Sequence, residues 1–247
     1  MNRRGFIYTA GVGFGAMCLP WAALGSGRQD FQKLTILHTN DMHSRIDPFP
    51  QGSGNKTGRG GMARRAALIE RIRQEEKNVL LLDAGDIFQG TPYFNFFQGD
   101  LEIELMSKMG YDAATIGNHD FDAGIEKLAE HIGTNASFPF VICNYDFSDT
   151  PVEGLTRRHL IMEKGGMKIG ITGVGIELEG VVPDKMYTNT RYIHPFNVVN
   201  KEAEFLKREA KCDLVICLSH LGFNYWSSRK VSDIKLATYS TDIDIII

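Results

Sequence analysis

Val79-Leu80-Leu81-Leu82-Asp83-Ala84-Gly85-Asp86 is the stretch that decides the fold. Four apolar residues in succession, with no polar alternation, fit a strand buried on both faces, as in parallel sheets covered by helices. The run ends in two carboxylates separated by small residues. Outward from it the same order recurs: a short apolar run, a polar loop, an amphipathic stretch. Upstream, residues 34–38 read as a strand and 62–73 as a helix, with Ala66, Ile69 and Ile72 at helical spacing. Downstream, 101–109 reads as a helix closed by Gly110, a C-cap candidate. Residues 113–116 and 140–143 read as strands and 124–132 as a helix. Residues 159–162 and 168–172, joined through Gly165-Gly166, read as a hairpin. A helix over 197–210 and strands over 213–218 and 242–247 complete the series. Strands alternating with helices imply an α/β domain with a mainly parallel sheet. No internal repeat or low-complexity linker divides it.

The 247 residues are 43% hydrophobic and 23% charged, enough for a well-buried core, and the net charge of −3 favours no polyanionic partner. No basic block or basic-aromatic stripe points to a nucleic-acid polymer. The first 25 residues differ in kind. Arg3-Arg4 precede a glycine-rich, mildly apolar run over 7–24, and Ala23-Leu24-Gly25 supply small residues. These are the parts of an export signal of the twin-arginine type, although Asn2 stands where such leaders carry Ser or Thr. A membrane anchor fits less well, because glycines and Pro20 break the run. The expected address is exported, periplasmic or cell-surface, without a stable membrane span after leader cleavage. Residues 31–247 then form the remaining domain. Cys143, Cys212 and Cys217, odd in number and without paired spacing, read as buried free thiols.

In open α/β sheets, ligands bind beyond the carboxyl ends of strands, and the polar residues gather there. The first strand runs into Asn40-Asp41-Met42-His43, the second into Asp83-Ala84-Gly85-Asp86. The third runs into Gly117-Asn118-His119-Asp120-Phe121-Asp122, and a later one into Ser219-His220. Each residue alone has a plain explanation: Asp41 and Asp86 as turn residues, Asp122 as the N-cap of a helix beginning at Ala123, the histidines as satisfied side chains. Four coincidences on four strand ends outweigh those explanations. In extended chain, residues two apart point the same way, so Asp41 and His43 can serve one ion. Carboxylate, imidazole and amide donors without thiols suit Mn²⁺, Zn²⁺ or Fe²⁺, with Mg²⁺ also admissible. Two such ions roughly 3.5–4 Å apart clamp the attacking and leaving oxygens of a phosphoryl group.

The blocks Leu37-His38-Thr39-Asn40-Asp41-Met42-His43, Asp83-Ala84-Gly85-Asp86-Ile87-Phe88-Gln89-Gly90, Gly117-Asn118-His119-Asp120-Phe121-Asp122 and Ser219-His220 resemble the calcineurin-like metallophosphoesterase superfamily in its 5′-nucleotidase branch. The resemblance covers nearly the whole chain after the leader. It implies two packed β-sheets flanked by helices, an α/β/β/α sandwich. It implies two divalent metal ions, with Asp41 and His43 on the first, Asp86 bridging, and Asn118 and His220 on the second. It implies that His119 is the catalytic histidine, oriented by Asp122. Asp120 stands where the family carries Glu, at a position that is not a ligand. The family closes its metal sites with a Gly-Gly-His-x-His turn, which would begin where this sequence stops at Ile247. The domain is therefore expected to be incomplete at its C-terminus, without the family's separate nucleoside-gripping domain.

The expectation is a binuclear-metal hydrolase of small-molecule phosphate esters, releasing phosphate from nucleotides. A related diesterase, a nucleotide-sugar or sulfur-ester hydrolase, or an inactive metal-binding fragment needing a partner chain remain open. Arg45 and Arg59 follow the first loop and read equally as phosphate contacts or solvated arginines. Replacing Arg3 and Arg4 by lysines is expected to leave the protein in the cytoplasm, as fractionation would show. Normal export of that variant would point to the general secretory route.

Overall fold

In a computed structural model of the chain, residues 32–225 and 230–247 are described. The leader reading falls outside them. In chain order the elements are β1 Thr35–Thr39, α1 Met62–Glu75, β2 Val79–Asp83, α2 Pro92–Phe97, α3 Asp100–Met109, β3 Ala113–Ala114 and α4 Ile125–Glu130. There follow β4 Tyr145–Asp146, β5 His159–Lys164, β6 Met167–Gly175, α5 Asp184–Tyr187, β7 Arg191–Tyr192, α6 Val199–Glu204, β8 Leu214–His220, α7 Asp233–Tyr239 and β9 Ile245–Ile246. Among the described residues no helix is long and apolar enough to cross a membrane.

Every residue of β2 is buried, because both its faces are covered. Leu81 packs with Ile69, Ile103, Met106 and Leu128 of the helical layer. Leu80 and Leu82 point the other way, into a core shared with Ile169, Ile171, Ile216 and Leu218 of β6 and β8. The unbroken apolar run is thus the middle of three layers, and the domain is the expected sandwich of two packed sheets flanked by helices. The first sheet, ordered β1-β2-β3, is parallel; the second, ordered β5-β6-β8-β9, is mixed. A short antiparallel pair, β4 with β7, lies apart from both. On the outer face of the second sheet, Val215 packs against Ala203 and Leu206.

Register sets where the strands end. Thr39 pairs with Asp83, and Asp83 with Ala114, so three parallel strands finish side by side. In the second sheet Gly175 pairs with His220. The hairpin turns through Gly165 and Gly166, both at positive φ, as glycine permits. Gly110 caps α3 in the left-handed conformation, as expected. Cys143, Cys212 and Cys217 are buried free thiols.

Several expectations change. Residues 140–143 are buried and extended but belong to no single ladder. Val141 N donates to Ala114, Ile142 N to Arg157, and Cys143 N to Gly173. The segment straps the two sheets together, and Gly173 lacks a Cβ because the Val141 carbonyl and Thr115 hydroxyl fill that space. β3 stops at Ala114, and the chain then bends at Asn118. No helix begins at Ala123: His119–Phe121 form a 3-10 turn, and α4 starts after Gly124 at a φ of 89°. The helix expected over 197–210 is a 3-10 turn, α6 and a wider π turn in succession. The final strand pairs only over Ile245–Ile246. Pro92–Phe97 and Asp233–Tyr239 are helices that the periodicity did not announce.

Leu82 is fully buried between the sheets. Leu82→Ala is expected to cost roughly 2–5 kcal/mol by urea unfolding. An unchanged midpoint would mean that the two sheets do not share a packed core.

Candidate metal centre

The strand-end loops converge because one runs along the other. Asp41 N donates to Gly85 O at 2.9 Å, His43 N to Asp86 O at 3.1 Å and Ser44 N to Ile87 O at 2.9 Å. To make these bonds, Asp41, His43 and Ser44 adopt positive φ of 50°, 47° and 51°, and Asp86 of 57°. Left-handed geometry in non-glycine residues costs about 1–3 kcal/mol each and clusters at functional sites. Asp41 and His43 therefore meet through a left-handed turn and not through extended chain.

Asp86 is the hub. Its Oδ2 lies 3.3 Å from His220 Nε2 and 3.8 Å from His43 Nε2, while Oδ1 accepts the His119 backbone N–H at 2.8 Å. His43 Nε2 also stands 3.8 Å from Asp41 Oδ1. Asp41, Asp86 and His220 offer one ligand atom each, all within 4.8 Å of one another. Asn118 sits half-buried at the head of the 3-10 turn, between Gly117 and His119. His119 lies next to this group. Its ring meets that of His43 edge-on at 5.2 Å, and its Nδ1 is 2.8 Å from Asp122 Oδ2. All seven sequence-designated residues thus lie in the three loops and at the end of β8. The Arg45 guanidinium stacks on Phe49 at 4.3 Å.

The electrostatics follow from burial and neighbours. Burial works against the charge on Asp86, but the hydrogen bond and charge of His220 and the His119 N–H hold its carboxyl below the ordinary carboxylate range. Burial likewise disfavours imidazolium at His220, yet Asp86 and the Ala84 carbonyl push it up to about 9. His119 is raised too, because Asp122 and Asp86 outweigh its partial burial.

Matching across residues 34–247 is the family model described as calcineurin-like phosphoesterase. The chain belongs to that family. A snake venom 5′-nucleotidase of Crotalus adamanteus is 33% identical over 238 residues, 92% of this chain but 38% of the venom protein. A 5′-nucleotidase of Diplobatis ommata is 34% identical, over 86% of this chain and 37% of its own length. The crystal structure of a 5′-nucleotidase precursor from Thermus thermophilus superposes with a TM-score of 0.74 at 34% identity, covering 86% of this chain and 40% of that one. The chain thus spans about two fifths of the length of these three relatives.

Calcineurin-like phosphoesterases use divalent metals, and the donors here fit one. Oxygen and imidazole suit a borderline-hard dication. Both imidazoles have Nδ1 against a backbone carbonyl, His220 with Ala84 at 2.8 Å and His43 with Phe88 at 3.3 Å. That contact fixes the tautomer and leaves Nε2 free to bind, the usual outer-shell pattern of metal-binding histidines.

Sequence reasoning missed the residue that positions Asp86. The fully buried Asp120 accepts at Oδ2 from Asp86 N (3.1 Å) and Gly117 N (2.8 Å). At Oδ1 it accepts from Ile87 N (2.8 Å) and Phe88 N (3.3 Å). Burial and the adjacent Asp86 charge push its carboxyl up to about 7, against the pull of the N–H donors. The sequence shows only an acid between His119 and Phe121, with no sign of where its oxygens go. Asp83 is a second such anchor, taking the Thr39 hydroxyl at 2.6 Å and Gly85 N at 2.9 Å.

Asp120→Asn is expected to destabilise the metal-free protein by at least about 2 kcal/mol in urea. Whichever oxygen becomes NH₂, two buried N–H groups lose their acceptor, at about 1–3 kcal/mol apiece. Unchanged stability would show that the loops hold themselves.

Proposed function

We propose that this chain hydrolyses phosphate monoesters, nucleoside 5′-monophosphates foremost, with two divalent ions of the Mn²⁺, Zn²⁺ or Fe²⁺ class. The observation that carries the reading is the placement of Asp86, within 3.8 Å of the His43 and 3.3 Å of the His220 imidazole. Asp41 and His43 would hold one ion, Asn118 and His220 the other, and Asp86 both. When bound, such a pair supplies Lewis acidity, neutralising charge on phosphoryl oxygens and lowering the pKa of water.

The chain's own residues account for the rest. His119 stands outside the group of donor atoms that Asp41, Asp86 and His220 bring together, and Asp122 engages its Nδ1. Its Nε2–H is left to donate, and its raised pKa keeps a proton there for the leaving ester oxygen. Asp122 orients the ring and stabilises its charged form. The Asp86 carboxylate also fixes the His119 backbone, so the proton donor and the ion-holding hub move as one. The 5′-nucleotidase relatives support nucleotides as the substrate class. The Arg3-Arg4 leader supports export to the periplasm or cell surface.

The test is phosphate release from AMP by the Mn²⁺-loaded protein, set against an aryl phosphodiester. Loaded protein that cleaves neither, or only the diester, would refute the proposal. His119→Ala is expected to keep its metal, measured by elemental analysis, while kcat falls on the order of 10²–10⁴-fold. Asp122→Ala should cost less, and the double variant should be little worse than His119→Ala, because the pair acts as a unit. Asp86→Ala should lose metal first and activity in consequence. If His119→Ala also shed its metal, the division between ligand and proton donor would be wrong.

A further inference from the structure

Beneath the first metal loop lie polar side chains without well-formed partners. Glu102 of α3 is fully buried, and neither carboxyl oxygen makes a hydrogen bond of good geometry. The Ser44 hydroxyl, also fully buried, is in the same condition. Burial raises the Glu102 carboxyl and the Ser44 hydroxyl opposes that shift, which puts the two unpartnered groups within reach of one another. An unpartnered buried carboxyl costs several kcal/mol and calls for a reason in a native fold.

Ser44 follows His43 directly. Its main chain is already fastened, N–H to Ile87 O at 2.9 Å and C=O from Thr91 Oγ1 at 2.7 Å. Its side chain therefore adds nothing to holding that backbone unless Glu102 takes the hydroxyl. Glu102 is itself rigidly placed. It lies in the first turn of α3, and the preceding Gly99, at a φ of 102°, packs so tightly that a Cβ would stand 2.7 Å from Phe88. Phe88 in turn presents its carbonyl to His43 Nδ1. α3 thus reaches the His43 turn from below by two routes, one through Phe88 and one through the Glu102 carboxyl.

We infer that Glu102 is a positioning residue: it takes the Ser44 hydroxyl and locks the left-handed His43-Ser44 turn, setting the His43 imidazole against Asp86. This rests on the proposed role of His43 as a metal ligand. The burden on the free protein is a buried carboxyl without a well-formed hydrogen bond, and the return is an imidazole held ready for a cation. Such outer-shell groups typically change metal affinity 10–100-fold.

The test is Mn²⁺ binding by calorimetry on the stripped protein, beside thermal unfolding without metal. Glu102→Leu and Ser44→Ala are each expected to weaken Mn²⁺ binding roughly 10–100-fold, and the double variant to be no worse than the weaker single, since they share one contact. Glu102→Gln, which keeps shape and a hydrogen-bonding oxygen, should stay within about threefold of wild type. Metal-free Tm should hold or rise in Glu102→Leu, because apolar replacement of an ill-partnered buried acid is neutral or stabilising. Wild-type affinity in Ser44→Ala would overturn the inference, whatever Glu102→Leu does. So would affinity lost only in step with Tm, the mark of a merely structural role. If wild type and Asp86→Ala bound Mn²⁺ alike, the metal reading itself would fail, a result distinct from both.

Discussion

One buried carboxylate holds two loops that no sheet holds. The β2 ladder ends at Asp83, and beyond it the N–H groups of Asp86, Ile87 and Phe88 run through buried chain with no strand to receive them. Buried backbone donors must be paired, and Asp120 pairs these three together with Gly117 N from the loop after β3. The β2 and β3 loops thereby become one body. They lie so close that a Cβ on Gly85 would stand 2.6 Å from Gly117 N, and one on Gly117 would collide with the Asp86 carboxyl. Both positions must be glycine, and Asp86 is left with one place to be.

The β1 loop then copies the β2 loop. Its bonds to Gly85, Asp86 and Ile87 carbonyls are strand-like in number but not in shape, because Asp86 has turned left-handed and its neighbour must follow. The accumulated backbone strain, about 1–3 kcal/mol per residue, is local and is opposed by the bonds that cause it. Its effect is to bring Asp41, His43 and Asp86 together, with His43 Nε2 3.8 Å from a carboxylate oxygen of each aspartate. Strain and ionisable groups thus sit in the same few residues.

Much of this was legible in the sequence, and unevenly so. Long apolar runs report burial directly, so β2, α1 and the hairpin lie close to where periodicity puts them. The gathering at the strand ends was legible in residue types: Asp, His and Asn recur there, and Asp41, Asp86 and His220 do come together. What periodicity could not give was hydrogen-bond destination. Residues 140–143 look like a strand because they are buried and apolar, yet they divide their bonds among Ala114, Arg157 and Gly173. Asp120 was passed over for the complementary reason. Judged as a ligand position it is inert, and only the four N–H groups around it reveal what it does. Asp41 and His43 stand together, with His43 Nε2 3.8 Å from Asp41 Oδ1, but through a left-handed turn and not through the extended chain that their spacing suggested.

His220 ties the site to the sandwich as a whole. It is the one sequence-designated residue from the second sheet, and it reaches Asp86 across the gap that Leu80, Leu82, Ile216 and Leu218 fill. The Ala84 carbonyl, one residue past β2, takes its Nδ1 at 2.8 Å and so crosses from sheet to sheet at the carboxyl ends of the strands. Sheet packing therefore sets the separation between Asp86 and His220, and a change of a few tenths of an ångström in that core is transmitted to the donor atoms. Packed interiors resist such change. The hydrophobic layer between the sheets is in this sense part of the site: it fixes a distance that no loop contact alone could fix.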